Sequence, residues 1–566
     1  MTEFLLVFAL AIALGWPLGR YLAAVMRGAP MRGDRLFGLI ERPLYRLLGV
    51  DPAQGMGWKG YAKAFLLSNL VLGVVVWVVL MTQAWLPLNP NDIPNMRWDL
   101  ALHTMVSFLT NTNQQHYSGQ AQLSYLAHAS AIVGLQVITP MMGLALVAAT
   151  LRGLFGGREK DAATNTNSDA DVGNYWADVI RPTVRFLLPL CLVWSLALTS
   201  QGVPATLDGG PVATPIDASA EMAEQKIALG PVSPMVAVKQ LGTNGGGWYG
   251  PNSAVPLENP TPFSNLLETL ALILIPVSIA FMVGSFTGRR KFTALVFGTM
   301  LTMSLVSAGT AVWSESLSGT SSDIALMEGK EVRFGAAPSA LWAAFTTQTS
   351  NGSVNAMHDS LAPLTGLVPI SNMLVNSIWG GIGCGLQQFL VYLLLSVFLA
   401  GLMTGRTPEL FGRKIEAHEV KLLAALVLLQ PLALLGFTAI TLAVPSITGN
   451  SNPEFHGISQ VFYEYVSAFA NNGSGFEGLG DATYWWNLSA SLMLALGRYP
   501  ALIIPLAIAG SLARKRATPE GPGTLKVETP TFALTLIAVV VILTLLQFMP
   551  VLVLGPVADH LALSAL

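Results

Sequence analysis

Four short polar segments stand between long apolar stretches: Thr110-Asn111-Thr112-Asn113-Gln114, Thr243-Asn244-Gly245-Gly246-Gly247, Ser350-Asn351-Gly352-Ser353 and Asn471-Asn472-Gly473-Ser474. Three share an Asn-Gly step, and in the first Asn111-Thr112 takes its place. These residues offer amide, hydroxyl and backbone oxygens and almost no charge. Such oxygens replace the hydration shell of a cation when they converge on one axis. Glycine lets the backbone turn its carbonyls toward that axis. Glu464 is one of few carboxylates near the segments, whereas rings of Asp or Glu are a common device of cation channels. The set therefore suits a weakly hydrated monovalent ion, potassium above all, better than calcium or an anion. Asn-Gly alone is a common turn dipeptide. Four surface turns, however, leave the short apolar stretch before each segment unexplained.

The elements that must hold these segments are membrane helices. The chain of 566 residues is 52% hydrophobic and 11% charged, with mean hydropathy +0.55, against about 25% charged residues in soluble domains. The net charge of −2 points to neither nucleic acid nor an acidic substrate. The two cysteines, Cys191 and Cys384, lie in apolar surroundings and form no disulfide framework or zinc motif. A membrane span needs about 20 mostly apolar residues. On that criterion about ten spans are expected, near 3–26, 62–82, 121–150, 175–202, 262–287, 292–312, 366–405, 420–445, 484–513 and 530–552. The seventh is too long for one simple span, and Pro369, Asn372, Asn376 and the 380–383 glycine run predict a break in its middle.

Shorter stretches at about 98–109, 234–242, 339–348 and 457–469 precede the four polar segments. They are too short to cross a bilayer and suit re-entrant helices, whose irregular ends are tolerated where they line a wet cavity. The dipole of each would aim its negative end at the pore centre. Basic clusters follow spans one, three, five, seven and nine (for example Arg152, Arg289, Arg406 and Arg514). By the positive-inside rule these connections are cytoplasmic, the re-entrant stretches enter from outside, and both termini lie outside.

The expected fold is all-α. It has four helix–pore loop–helix repeats around a pseudo-fourfold pore and one extra helix at each end. The divisions are 1–60 (first helix and connection), 61–155 (repeat 1), 156–174 (linker), 175–291 (repeat 2), 292–414 (repeat 3), 415–516 (repeat 4) and 517–566 (linker and last helix). Thr112, Gly245, Gly352 and Gly473 are taken as equivalent. Their uneven spacing indicates a duplicated, diverged repeat rather than a solenoid.

Other charges are weighed separately. Arg498 lies well inside the ninth span; a central arginine costs about 2.5–3.5 kcal/mol on insertion scales and by default marks a function. Arg406 closes the seventh span and is as readily an interfacial anchor. Glu416, His418 and Glu419 read as a solvated helix, not a metal cluster. The chain has no phosphate-binding loop of the Gly-x-x-x-x-Gly-Lys-Ser/Thr type, no Asp-Lys-Thr-Gly phosphorylation motif and no His-Glu-x-x-His pair. Any ATP-derived energy must then come through a partner.

At these residues the chain resembles the potassium-binding A subunits (KdpA) of bacterial Kdp potassium-transporting ATPases. The matching motifs are Thr110 to Gln115, Gly242 to Trp248, Ser350 to Asn355, Ala470 to Phe476, Ala400 to Glu409 and Leu496 to Pro500. The resemblance runs the length of the chain and implies membership of the superfamily of potassium transporters. It implies filter roles for Asn111, Thr112, Asn113, Asn244, Gly245, Gly246, Asn351, Gly352, Ser353, Asn472, Gly473 and Ser474. It implies gating or coupling roles for Arg406 and Arg498. It also implies a bacterial inner-membrane complex with a P-type ATPase subunit (KdpB), a KdpC-type subunit and a small KdpF-type peptide. ATP and Mg2+ would be bound by the ATPase partner, with no cofactor and no catalysis in this chain. One departure stands out: a carboxylate is expected near position 376, and this chain has Asn376. A stand-alone potassium channel or symporter of the same superfamily is the alternative. An intramembrane enzyme would need a polar catalytic pair, which is not visible.

Overall fold

The computed structural model describes residues 2–156, 170–217, 222–317, 327–519, 521 and 524–564. Most of the expected 156–174 linker thus lies outside the described residues. Ten helices among them are long and apolar enough to cross a membrane. They fall at the expected positions, from Thr2–Met26 to Pro530–Leu563. The seventh expected span is broken as its glycines predict, into Pro363–Val375 and Cys384–Met403. Between the halves, Asn376, Gly380 and Gly383 have φ of +46°, +61° and +87°.

Burial separates inner from outer helices. Pro262–Thr287 is 83% buried over its most apolar window, whereas Ala417–Ala443 is 22% buried and presents leucines outward. The first helix lies along Pro262–Thr287. Two glycines one turn apart, Gly15 and Gly19, make that approach possible. A Cβ on Gly19 would stand 2.4 Å from the Ser278 carbonyl oxygen. Small residues at this spacing let helix backbones approach closely in lipid, where apolar burial gives helices no reason to associate.

The sequence places 34–48 within a connection. It is an amphipathic helix, Asp34–Leu48, with Leu36, Leu39 and Leu47 exposed beside several arginines. That pattern suits a helix lying in the membrane interface.

The basic connections gather at one end of the molecule, where their charges are tied to neighbouring elements. Arg185 binds Asp34 and Glu41 at 2.7 and 2.5 Å, Arg152 binds Asp178 at 2.5 Å, and Arg289 binds Glu528 at 3.0 Å. Arg413 donates to the Gly153, Leu154 and Gly156 carbonyls and so satisfies the end of the third span. Glu416 and Glu419 cap their own helix and pair with Lys515.

Four shorter helices, Trp98–Leu109, Val232–Leu241, Ala336–Gln348 and Glu454–Phe469, occupy the other connections. They are almost wholly buried among the spans. These are the four expected re-entrant helices, here called pore helices. The connection 203–232 carries a short antiparallel strand pair, Val212–Ala213 with Gln225–Lys226.

Candidate cation-binding site

Each pore helix ends in the same turn. The second residue after it is left-handed: Asn111, Thr243, Ser350 and Asn471 have φ of +62°, +50°, +49° and +55°. The next amide then reaches back to the carbonyl five residues earlier. Thr112, Asn244, Asn351 and Asn472 donate to Ser107, Lys239, Thr346 and Ser467 at 2.9–3.0 Å. Next comes a second left-handed residue: Asn113 at +56°, Gly245 at +72°, Gly352 at +88° and Gly473 at +103°.

This corrects the expected register by one residue, because Asn113, not Thr112, is the counterpart of the three glycines. Asparagine tolerates the left-handed region better than other side chains with a Cβ. The Asn-Gly pairing of the other three segments therefore aligns with Thr112-Asn113.

The four turns close a ring. A Cβ on Gly245 would lie 2.1 Å from the Asn351 carbonyl oxygen, one on Gly352 2.0 Å from that of Asn472, and one on Gly473 2.2 Å from that of Thr112. The fourth contact completes the circuit, with Asn113 packed against Gly246. Side chains lock neighbours together. Asn351 donates to the Lys239 carbonyl and Asn472 to the Thr346 carbonyl, both at 2.8 Å. Asn111 reaches the Thr243 carbonyl at 3.2 Å. Ser353 and Ser474 donate their amides to the Asn351 and Asn472 side chains. The twelve expected filter residues all belong to these four turns, and Gly246 also lines the cavity above them.

The second pore helix holds its segment with a buried ion pair. Lys239 is fully buried and donates to Glu258, Asn252 and Ser253. Its carbonyl meanwhile accepts from Asn244, Gly245 and Asn351. Lys239 is not among the residues expected from the sequence to act here, although a lysine within so apolar a stretch is itself a signal.

Below the ring sits the broken seventh span. Asn376 accepts from the Ser350 hydroxyl at 2.7 Å and donates to the Ala470 carbonyl at 3.2 Å. The Ile382 amide donates to Thr243 at 3.1 Å, and Gly383 lies against the Gly143 backbone. Arg498 is buried beside the end of this loop. It donates to Cys384 Sγ at 2.7 Å and to the Thr139 carbonyl at 3.3 Å, and no carboxylate pairs with it among the described residues. Arg406 lies apart, exposed at the basic end, with a 3.3 Å contact to the Thr524 carbonyl. The two arginines are not brought together.

Above the ring, a polar cavity of about 630 Å3 touches all four segments through Asn113, Gly246, Gly352 and Gly473. Glu464, His116, Asp481 and Glu477 also line it. Burial opposes a proton on His116, but the carboxylates of Asp481 and Glu464 outweigh it and raise its affinity for one. Burial pushes the Glu477 carboxyl up to about 8.

The profile of the family described as potassium-transporting ATPase A subunit matches residues 5–561. A potassium-transporting ATPase potassium-binding subunit of Gloeobacter violaceus is 47% identical, covering 96% of this chain and 95% of the relative. The subunit of the same name from Pseudomonas putida is 43% identical, covering 99% and 98%. Among solved structures, the potassium transporter TrkH of Vibrio parahaemolyticus is 15% identical with a TM-score of 0.49, covering 88% of this chain and 95% of TrkH. By the extent of the profile match and of these relatives, the chain belongs to the potassium-transporting ATPase A-subunit family.

Proposed function

We propose that the ring of four segments is a potassium selectivity filter, and that the chain passes the ion to a P-type ATPase partner that powers import. The observation supporting this most directly is the closed circuit of backbone. Three glycines without a Cβ each admit the next segment's carbonyl, and the turns are fixed by identical five-residue hydrogen bonds. An uncharged ring of this kind replaces water around a weakly hydrated cation. The partners would be KdpB-, KdpC- and KdpF-type subunits in a bacterial inner membrane, with the filter mouth and both termini outside. ATP and Mg2+ would act in the ATPase subunit. Arg498 and the loop at 376–383 are buried below the ring, and a coupling role fits them better than it fits exposed Arg406.

The test is to purify the chain with its native membrane partners and measure ATP hydrolysis against potassium concentration. Potassium-stimulated hydrolysis that Gly245→Asp abolishes supports the reading. Isolation without partners, together with passive potassium flux in liposomes, would instead favour a stand-alone channel or symporter.

A further inference from the structure

The cavity above the ring holds a group of side chains that a potassium filter does not need. His116, Glu464 and Asp481 each offer a ligand atom, all within 4.8 Å of one another. His116 and Glu464 are buried, and the His103 ring stacks on His116 with centroids 3.7 Å apart.

The tautomer of His116 follows from its partners. Asn487 donates its amide nitrogen to Asp99 at 2.8 Å, so its oxygen is what meets His116 Nδ1 at 2.7 Å. Asp99 is itself held by Arg97. Nδ1 therefore carries the hydrogen, and in the neutral ring Nε2 presents a lone pair. That lone pair faces Glu464 Oε1 at 3.3 Å, an oxygen that also accepts from the Gln114 side-chain amide. Two acceptors facing each other are satisfied only by a cation between them, either a second proton or a metal. Histidine ligands to metals are typically anchored in this way, through the other ring nitrogen.

Two further observations point to a ligand in the same space. The Asp481 carboxylate lines the cavity and accepts a hydrogen bond from no other side chain among the described residues. The Asn113 side chain, 2% exposed, lines it too, and both its amide atoms lack partners.

We propose that His116, Glu464 and Asp481 bind a divalent first-row transition metal, with Zn2+ as the type, at the mouth of the pore. One imidazole nitrogen and two carboxylates suit Zn2+ at about 2.0–2.2 Å, with the fourth position open to water. A dication beside Gln114 and Asn113 repels an entering monovalent cation, so external Zn2+ would inhibit uptake competitively with potassium. That consequence rests on the filter reading; binding itself does not.

The test uses the full chain in its membrane complex, titrated with ZnCl2 in potassium-free choline buffer against a chelator indicator. Saturable binding of one equivalent is expected. Asn487→Leu frees the imidazole and should weaken binding by about 10–100-fold, and His116→Ala should weaken it further. If His116→Ala folds poorly, Asp481→Asn, on a partly exposed loop, keeps the test open by its own loss of affinity. Absence of saturable Zn2+ binding, or wild-type affinity in Asp481→Asn, overturns the proposal. So does a site that responds to pH alone, since the cation there is then a proton.

Discussion

Replacing Gly352 with alanine tests the ring at its tightest point. The new Cβ would stand 2.0 Å from the Asn472 carbonyl oxygen, and ordinary contact begins near 3.4 Å. The carbonyl or the substituted segment must therefore retreat by more than an ångström. The backbone there has φ of +88°, which costs a residue with a Cβ about 1–2 kcal/mol. The rest of the repeat is held by buried hydrogen bonds, so the displacement falls mainly on the carbonyl ring. Loss of about 1.5–3 kcal/mol of ion binding corresponds to a roughly 10–100-fold rise in half-saturating potassium. The assay is potassium-stimulated ATP hydrolysis by the purified complex, with rubidium and sodium as competitors and expression measured alongside. Gly473→Ala, with 2.2 Å to the Thr112 carbonyl, should behave alike. Gly134→Ala is the control, because a Cβ there meets nothing within 4 Å. Unchanged potassium dependence in both ring variants, at normal expression, would refute the ring as the ion site.

Three further outcomes are expected. Lys239→Met leaves the fully buried Glu258 without its counter-ion, with only the Tyr249 amide still donating to it, which costs about 3–5 kcal/mol. Thermal stability should fall, and pairing the change with Glu258→Gln should recover part of it; full stability in the single variant would contradict the account. His456 bridges Asp359 and Asp559 at 2.8 and 2.9 Å, and those hydrogen bonds raise its pKa to about 9 against the opposing effect of burial. Because the folded value is raised, its contribution is fully present below about 6.5 and lost as pH rises through about 9. Melting temperature should decline over that window and decline less in His456→Gln; parallel curves would sink the assignment. Arg498→Gln should leave potassium-stimulated hydrolysis at a near-normal half-saturating concentration while reducing ions moved per ATP, measured in proteoliposomes. Lost affinity with intact coupling would place Arg498 functionally in the filter instead.

The sequence by itself determined the spans, the four pore helices and the broken seventh helix. Each depends on local quantities: the length of an apolar run, the interruption of one by glycine and asparagine, and the connections in which basic residues cluster. The polar segments were legible for the same reason, since uncharged oxygens and glycines recur at the ends of short apolar stretches. Their register was not. Asn113 and Gly245 look unlike in sequence and become equivalent only through a shared left-handed conformation and a shared hydrogen bond to the carbonyl five residues before the preceding position. The amphipathic helix at Asp34–Leu48 was passed over because its apolar residues recur with helical period rather than as a continuous run.

Other features were decided by tertiary structure alone, because they join residues far apart in the chain. Arg498 meets Cys384 and the Thr139 carbonyl rather than a carboxylate. Asn376, where a carboxylate was expected, instead ties the third and fourth segments together. His116, Glu464 and Asp481 come from two different repeats, and no spacing along the chain announces them. Local physics sets which residues become helix or loop, but only closure of four diverged repeats around one axis brings their loops within hydrogen-bonding distance.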